Sequence, residues 1–265
     1  PFYGLASLCI DDPGVAAIAG EVQRPLLSYG LREDADVRAI DIHADGLRTH
    51  FRVLRPGGAP PLDVTLNLPG EHNVRNALAA VALAHELGLD DAAVQRALAG
   101  FQGIDRRLQL IGEVDTARGR LLLVDDYGHH PSEIDATLRA VRSAWPGRRL
   151  VVVFQPHRYT RTRDLLDDFA EVLSRADKLL VTEVYAAGEQ PIAGADARAI
   201  CRAVRGQGAL EPVFVSALDR LPRRLARVVR DGDVVLTLGA GDIGAAAQRL
   251  PAGLREQIGP PAGEA

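Results

Sequence analysis

From Arg107 onward the chain repeats one alternation: a short run of solid apolar residues, then a stretch whose apolar residues recur at helical spacing. "RLLLV" leads to a segment opening at Pro131 with Ile134, Leu138, Val141 and Trp145 on one face, and "RRLVVVF" to one carrying Leu165, Phe169 and Val172. "KLLVTEV" is followed by a helix around Ile200 and Val204, "PVFVSA" by one with Leu221, Leu225 and Val228, and "DVVLTL" by a last short helix. Apolar runs without alternation suit strands buried on both faces, and the helical stretches between them supply the cover. The pattern predicts an α/β fold with a mostly parallel sheet. "LQLIGEV", before Gly119, predicts an extra strand hairpinned onto the first, and the tail after Pro251 is expected to fray.

The first hundred residues read differently, as mixed strands followed by helices. "DVRAIDIHADG", "LRTHFRVLRPGG" and "LDVTLNLPG" alternate apolar and polar residues between glycine and proline turns, which predicts an antiparallel meander. The period then changes to helical in "HNVRNALAAVALAHELGL", ending at Gly88, and in "DDAAVQRALAGF", with its aspartates as caps.

Composition excludes several classes. With 265 residues and 47% hydrophobic content the chain can bury a core of one large or two modest domains. It has no apolar run of about 18 residues, the length that reads as a membrane helix, and no leader pattern, so a cytoplasmic location is expected. Cys9 and Cys201 are too few and too far apart for a disulfide framework or a zinc pattern. A net charge of −4 argues against general nucleic-acid binding. There is no methionine and the chain opens on "PFYGLASL", so the true start is expected upstream; Lys178 is the sole lysine.

In parallel sheets ligands gather where strands end at their carboxyl termini. Four polar words fall there: "DDYGHHP", "QPHRYTRTR", "YAAGEQP" and "GAGDIG". In the first, Asp125 and Asp126 can cap the turn and the helix start, and Ser132 with Asp135 can supply capping contacts. The adjacent His129 and His130 offer a proton acceptor and a donor near neutral pH. A metal site is the rival reading, but no second His/Asp set stands at ligand spacing to complete it. The second word places Arg158, Arg161 and Arg163, with His157, at a helix start whose partial positive charge disfavours them. Recruiting a carboxylate or phosphate there removes the conflict.

Two further signals are weaker alone. Asn73 and Asn76 lie three apart near a helix start; capping explains Asn73, and Asn76 is a poor helix former with an amide able to give and accept hydrogen bonds. "GAGDIG", Gly239 to Gly244, fits the dinucleotide fingerprint but lacks the second strand with an acidic residue that normally follows, so an NAD-binding module is kept only as an alternative. A manganese-type phosphoesterase on "DDYGHH" is the third reading.

Taken in order, "PFYGLASLCIDDP", "PGEHNVRNALAAVA", "FQGIDRRLQLIGE", "VDDYGHHPSEI", "FQPHRYTRTRDL", "YAAGEQPIAGAD" and "LGAGDIG" resemble the Mur ligases, in particular the branch that joins L-alanine to UDP-N-acetylmuramate. The murein peptide ligases are the nearest neighbours of that branch. The resemblance implies a division into 1–106, the remainder of a central ATP-binding domain, and 107–265, a Rossmann-like domain for the amino acid. It implies ATP-dependent amide formation through an acyl phosphate, with Mg2+ offsetting phosphate charge, the metal ligands lying in sequence upstream. It makes Asn73 and Asn76 contacts for the adenine or ribose of ATP, and Arg107 a phosphate-side contact. Tyr127 is implied near the nucleotide, and His129, His157, Arg158 and Arg161 around the alanine carboxylate, with His129 or His130 taking the amine proton. The G-x-x-x-x-G-K-[ST] phosphate loop of the family is absent from these residues, so they are expected not to turn over ATP alone.

Overall fold

The computed structural model describes residues 4–261. The chain divides into two units, Pro1–Gly103 and Ile104–Ala265.

In the first unit, β1 (Ala6–Cys9), α1 (Pro13–Ala19) and β2 (Leu26–Gly30) precede a meander of β3 (Val37–Asp45), β4 (Arg48–Leu54) and β5 (Leu62–Leu66). The sheet order is β1-β2-β3-β4-β5; the first two pairings are parallel and the last two antiparallel. The predicted meander is β3 to β5, where alternation puts Phe51, Val53, Leu62, Val64 and Leu66 inside. Helices α2 (Glu71–Glu86) and α3 (Asp91–Gly100) follow, and Val74, Leu78 and Val81 of α2 complete this core. Asp90 caps α3 through the Ala93 N–H at 3.0 Å. At α2 the expected cap is corrected: the N-cap is Gly70, at φ 95, and Asn73 sits one turn inside, donating from its amide to the Pro69 carbonyl at 2.9 Å.

The second unit carries β6 (Gln109–Thr116), β7 (Gly119–Asp126), α4 (Pro131–Ala144), β8 (Leu150–Phe154), α5 (Tyr159–Asp164), α6 (Leu166–Leu173) and β9 (Lys178–Thr182). It ends with α7 (Ala197–Gly206), β10 (Val213–Val215), α8 (Leu221–Leu225), β11 (Val234–Leu238) and α9 (Ile243–Ile258). The sheet order is β10-β9-β8-β11-β7-β6, parallel throughout except the β6–β7 hairpin, as the apolar runs predict. Helices α4, α6 and α7 bury Ile134, Leu138, Phe169 and Ile200 on one face. On the other face α8 and α9 bury Leu221, Leu225, Ile243 and Leu250.

Two expectations fail here for physical reasons. The single helix predicted after β8 is two, because Leu165 leaves helical geometry at φ −120 and ψ 26. The tail does not fray at Pro251, since α9 continues to Ile258. Leu250 and Leu254, 2% and 0% exposed, sit on either side of that proline. Burying each contributes about 2 kcal/mol, which together exceeds the ~3 kcal/mol cost of an internal proline. The Ala117 N–H, donating to the Gly259 carbonyl at 3.0 Å, ties the helix end to the β6–β7 turn.

Candidate functional site at the sheet rim

Strand β7 is apolar and buried from Leu121 to Val124 and then ends on Asp125 and Asp126, which are 0% and 5% exposed. Buried carboxylates require partners, and both have them. Asp125 accepts from the Arg106 Nε at 2.9 Å and from the Thr237 hydroxyl. Asp126 accepts from the N–H groups of Leu108 and Gly128, each at 2.7 Å, and from the Thr137 hydroxyl at 3.1 Å. Burial still pushes the Asp126 carboxyl above its ordinary range, outweighing those donors. Asp126 fixes the backbone of Leu108 and Gly128 while Asp125 anchors the Arg106 and Thr237 side chains, and the loop that follows, Tyr127 to His130, carries the groups open to chemistry.

The two adjacent histidines are separated by function within that loop. His130 is the N-cap of α4: its Nδ1 lies 2.9 Å from the Ser132 hydroxyl, and with Glu133 it forms a reciprocal capping box. The expected pair of capping residues, Ser132 and Asp135, is thereby corrected, for Asp135 instead pairs with Arg139 and Arg175. Glu133 Oε2 accepts from the N–H of His129 at 3.0 Å and of His130 at 3.2 Å. Burial raises the Glu133 carboxyl, but those N–H groups and the nearby His129 and Arg107 more than reverse it, leaving it lowered. The His129 Nδ1 faces two acceptors, the Tyr127 carbonyl at 3.1 Å and Glu133 at 3.3 Å, so it carries the proton and leaves the Nε2 lone pair outward.

The partner of His129 comes from the next strand. His157, after β8, stands with its ring 5.5 Å from that of His129 and 5.5 Å from that of Tyr185, while Tyr127 lies 5.4 Å from His129. Four rings, Tyr127, His129, His157 and Tyr185, therefore run in one row along the rim, drawn from the exits of β7, β8 and β9. The Arg161 guanidinium donates to the His157 Nδ1 at 3.2 Å, which makes that nitrogen an acceptor and puts the proton of the neutral ring on Nε2. Desolvation lowers the His157 pKa, and His129, Arg161 and Arg158 lower it further. A ring with an acceptor at Nε2 and a ring with a donor there thus stand side by side.

Arg158 is exposed and held at φ 72, a backbone state costly for a side chain of this size, with its N–H on the Tyr185 carbonyl at 2.9 Å. The anion expected at the start of α5 is in part supplied by the chain itself. Glu189, from "YAAGEQP", accepts from the Thr160 N–H at 3.0 Å and the Thr160 hydroxyl at 2.6 Å. Those bonds hold its carboxyl below the ordinary range. Among the described residues the Arg158 guanidinium has no hydrogen-bond or ion-pair partner, and Arg161 donates only to His157. Tyr185 and Glu189 were not among the residues singled out from sequence, although their loop was.

The glycine-rich word after β11 is filled from within. The Gln155 carbonyl oxygen would lie 2.7 Å from a Cβ on Gly239, the Tyr185 ring 2.6 Å from one on Gly241, and a Cβ on Gly244 would fall on the Arg106 guanidinium. The Gln155 side-chain oxygen accepts from the Ile243 N–H at 3.1 Å, and its amide donates to Asp242 at 2.6 Å. The backbone approach that a dinucleotide would use is occupied by Gln155, Tyr185 and Arg106, which removes the basis of the NAD reading.

In the first unit, Asn76 donates to the Asn73 side-chain oxygen at 3.5 Å, so the two amides form one polar spot at the start of α2. In the second, Arg107 is exposed and its guanidinium lies 5.9 Å from the centre of the Tyr127 ring. Among the described residues no three His, Cys, Asp or Glu side chains converge as a metal site. No described helix is long and apolar enough to cross a membrane.

Residues 106–241 match the family model described as Mur ligase, glutamate ligase domain, and residues 1–84 match the Mur ligase middle domain. A UDP-N-acetylmuramate–L-alanine ligase from Halorhodospira halophila is 59% identical over 96% of this chain and 52% of its own length. The protein of that name from Methylococcus capsulatus is 55% identical over 98% of this chain and 55% of its length. The chain thus spans about half the length of the curated relatives it matches. Among solved structures, the UDP-N-acetylmuramate–alanine ligase of Thermotoga maritima is 28% identical with a TM-score of 0.76, covering 95% of this chain and 52% of that one. A murein peptide ligase from Psychrobacter arcticus is 26% identical with a TM-score of 0.68, over 96% and 52% respectively. With a family model matched across half its residues and a second across much of the remainder, this chain belongs to the Mur ligase family.

Proposed function

We propose that these residues form part of an ATP-dependent ligase that joins L-alanine to UDP-N-acetylmuramate in peptidoglycan precursor synthesis, in the cytoplasm. Residues 1–106 are assigned to the ATP-binding domain and 107–265 to the amino-acid domain. The observation that carries the reading is the rim of the second sheet, where Arg161 is hydrogen-bonded to His157 of a His129–His157 pair, the charge of Arg158 acts on the same ring, and, among the described residues, neither guanidinium has a carboxylate hydrogen-bonded to it. Relatives 55–59% identical that bear the name of this activity support it.

In this reading the sugar's lactyl carboxylate attacks the γ-phosphorus of ATP, giving an acyl phosphate and ADP. Arg158 and Arg161 grip the carboxylate of L-alanine by charge-assisted hydrogen bonds. His129, through its Nε2 lone pair, takes one proton from the alanine ammonium; the freed amine attacks the acyl carbon, and the tetrahedral intermediate expels phosphate, which carries away the second proton of that nitrogen and leaves the neutral amide. Holding amine against acyl carbon in this way removes on the order of 7 to 11 kcal/mol of barrier. Asn73 and Asn76 are assigned to the adenine or ribose, Arg107 to the phosphates and Tyr127 to the nucleotide side. His130, capping α4, is assigned the helix start ahead of the proton. Mg2+ would offset the phosphate charge of ATP, and among the described residues no three His, Cys, Asp or Glu side chains converge to hold it.

The test is release of ADP by the polypeptide that carries this sequence. Release that requires both UDP-N-acetylmuramate and L-alanine supports the assignment. Release with a murein tripeptide but not with L-alanine moves it to the murein peptide ligases, and no dependence on either sinks it. The 265 residues alone, which lack a G-x-x-x-x-G-K-[ST] loop, are proposed to release no ADP.

A further inference from the structure

Arg106 has no role in the proposed chemistry, yet all three of its guanidinium nitrogens are engaged. Its Nε donates to buried Asp125 at 2.9 Å, and its two terminal nitrogens donate to the carbonyls of Gly241, at 3.4 Å, and of Gly239. Its backbone is equally tied: its N–H donates to the Gln109 side-chain oxygen at 2.9 Å, and its carbonyl accepts from the Tyr127 N–H at 2.6 Å. The guanidinium carbon lies 5.1 Å from the centre of the Tyr127 ring. Arg106 and Leu108 both hold positive φ, 61 and 47, which side-chain-bearing residues adopt only where surroundings impose it. Asp125 and Asp126 are those surroundings, and between the two strained residues Arg107 is turned out to solvent.

We propose that Arg106 is a positioning residue that sets Tyr127 and Arg107, and that position 244 is glycine so that the Arg106 guanidinium can occupy the space of a side chain there. The third glycine of "GAGDIG" is in this account a seat for an arginine of the same chain. The proposal rests on the assignment of Tyr127 and Arg107 to the nucleotide.

Gly244→Ala is the discriminating variant. Alanine is favoured over glycine inside a helix, so α9 is not weakened, while the new methyl displaces the end of a flexible side chain. In the ligase, Gly244→Ala and Arg106→Ala are each expected to raise the ATP KM about tenfold, the scale of a modest misplacement of binding groups, and to leave the alanine KM nearly unchanged. Arg106→Lys, which can reach Asp125 but cannot fork across two carbonyls, should recover only part of the loss. A lower kcat with both KM values unchanged would mean that Arg106 only staples the fold, and overturns the proposal. Amide exchange at Tyr127 and Leu108 in the 265-residue chain provides a readout independent of activity. Faster exchange in Gly244→Ala is expected, and unchanged exchange overturns the positioning role of Arg106 even if the ligase assignment fails.

Discussion

Two arginine pairs stand at the rim of one sheet, and they are spent in opposite ways. In "DRRL", Arg106 is inside, paired with a carboxylate that is 0% exposed, while Arg107 points outward. In "HRYTR", Arg158 is outside and Arg161 is turned onto an imidazole. Both words hold an arginine at positive φ, at residues 106 and 158, so both loops are strained. The difference is the counter-ion. Arg106 is neutralised by the protein, which makes it architecture; Arg158 and Arg161 have no carboxylate hydrogen-bonded to them, which leaves positive charge for a ligand. Local sequence makes the two words look alike, and only the fold decides which arginine meets an acid.

The largest effect that tests this contrast is on stability. Asp125→Ala removes the buried partner of Arg106 and strands a charge whose side chain is 21% exposed. Loss of one partner of such a pair costs about 3 kcal/mol, readable as a lower urea midpoint, whereas Arg158→Ala should leave that midpoint nearly unmoved. Equal destabilisation by both would break the contrast. The complementary loss is in binding: Arg158→Ala or Arg161→Ala in the proposed ligase should raise the KM for L-alanine, its proposed substrate, roughly 30-fold, the value of one charge-assisted hydrogen bond. An unchanged KM in both would remove their assigned role.

How much of this was legible in sequence follows the same division. The parallel sheet could be read because unbroken apolar runs such as "LVVVF" have no other home than a doubly covered strand. The rim could be read because strand ends collect polar residues. Arg106 could not be chosen over Arg107, since nothing in "DRR" says which side chain a buried aspartate will take. His130 reads like His129 until α4 is seen to use it as a cap, a position where Ser or Asp would have announced itself. The continuation of α9 past Pro251 was hidden because local propensity was outweighed by burial of Leu254 on a hairpin distant in sequence. Glu189 escaped because its partner, Thr160, is 29 residues away.

A smaller effect sharpens the account of the ring row. The His157 pKa is lowered, so between its folded value and the ordinary 6.5 the unfolded chain binds more protons than the folded one. Stability from this group is therefore complete above about pH 6.5 and declines as pH falls through that window toward the lowered value. His157→Gln should flatten that part of the stability-versus-pH curve for the second unit. A curve unchanged by the substitution would show that His157 titrates as if in water, and the donor role given to its Nε2 would fall.

The smallest effect concerns Glu189, which sits at the start of α5 as the chain's own anion. Its carboxyl is held low by the Thr160 bonds, by the Tyr159 N–H and by the charge of Arg158. It therefore contributes to helix-start stability above the ordinary carboxylate range, and that contribution is lost as pH falls through its lowered value. Glu189→Gln keeps the shape and hydrogen-bonding reach but removes the charge. The melting temperature should fall slightly, and the alanine KM should fall too, because the field of Arg158 is no longer partly cancelled. A rise in alanine KM would mean that Glu189 orders the loop for the amino acid, through Thr160, more than it competes with its carboxylate. In that event the rim is tuned by placement of Arg158, and the charge difference between the two arginine pairs is the lesser cause of their different uses.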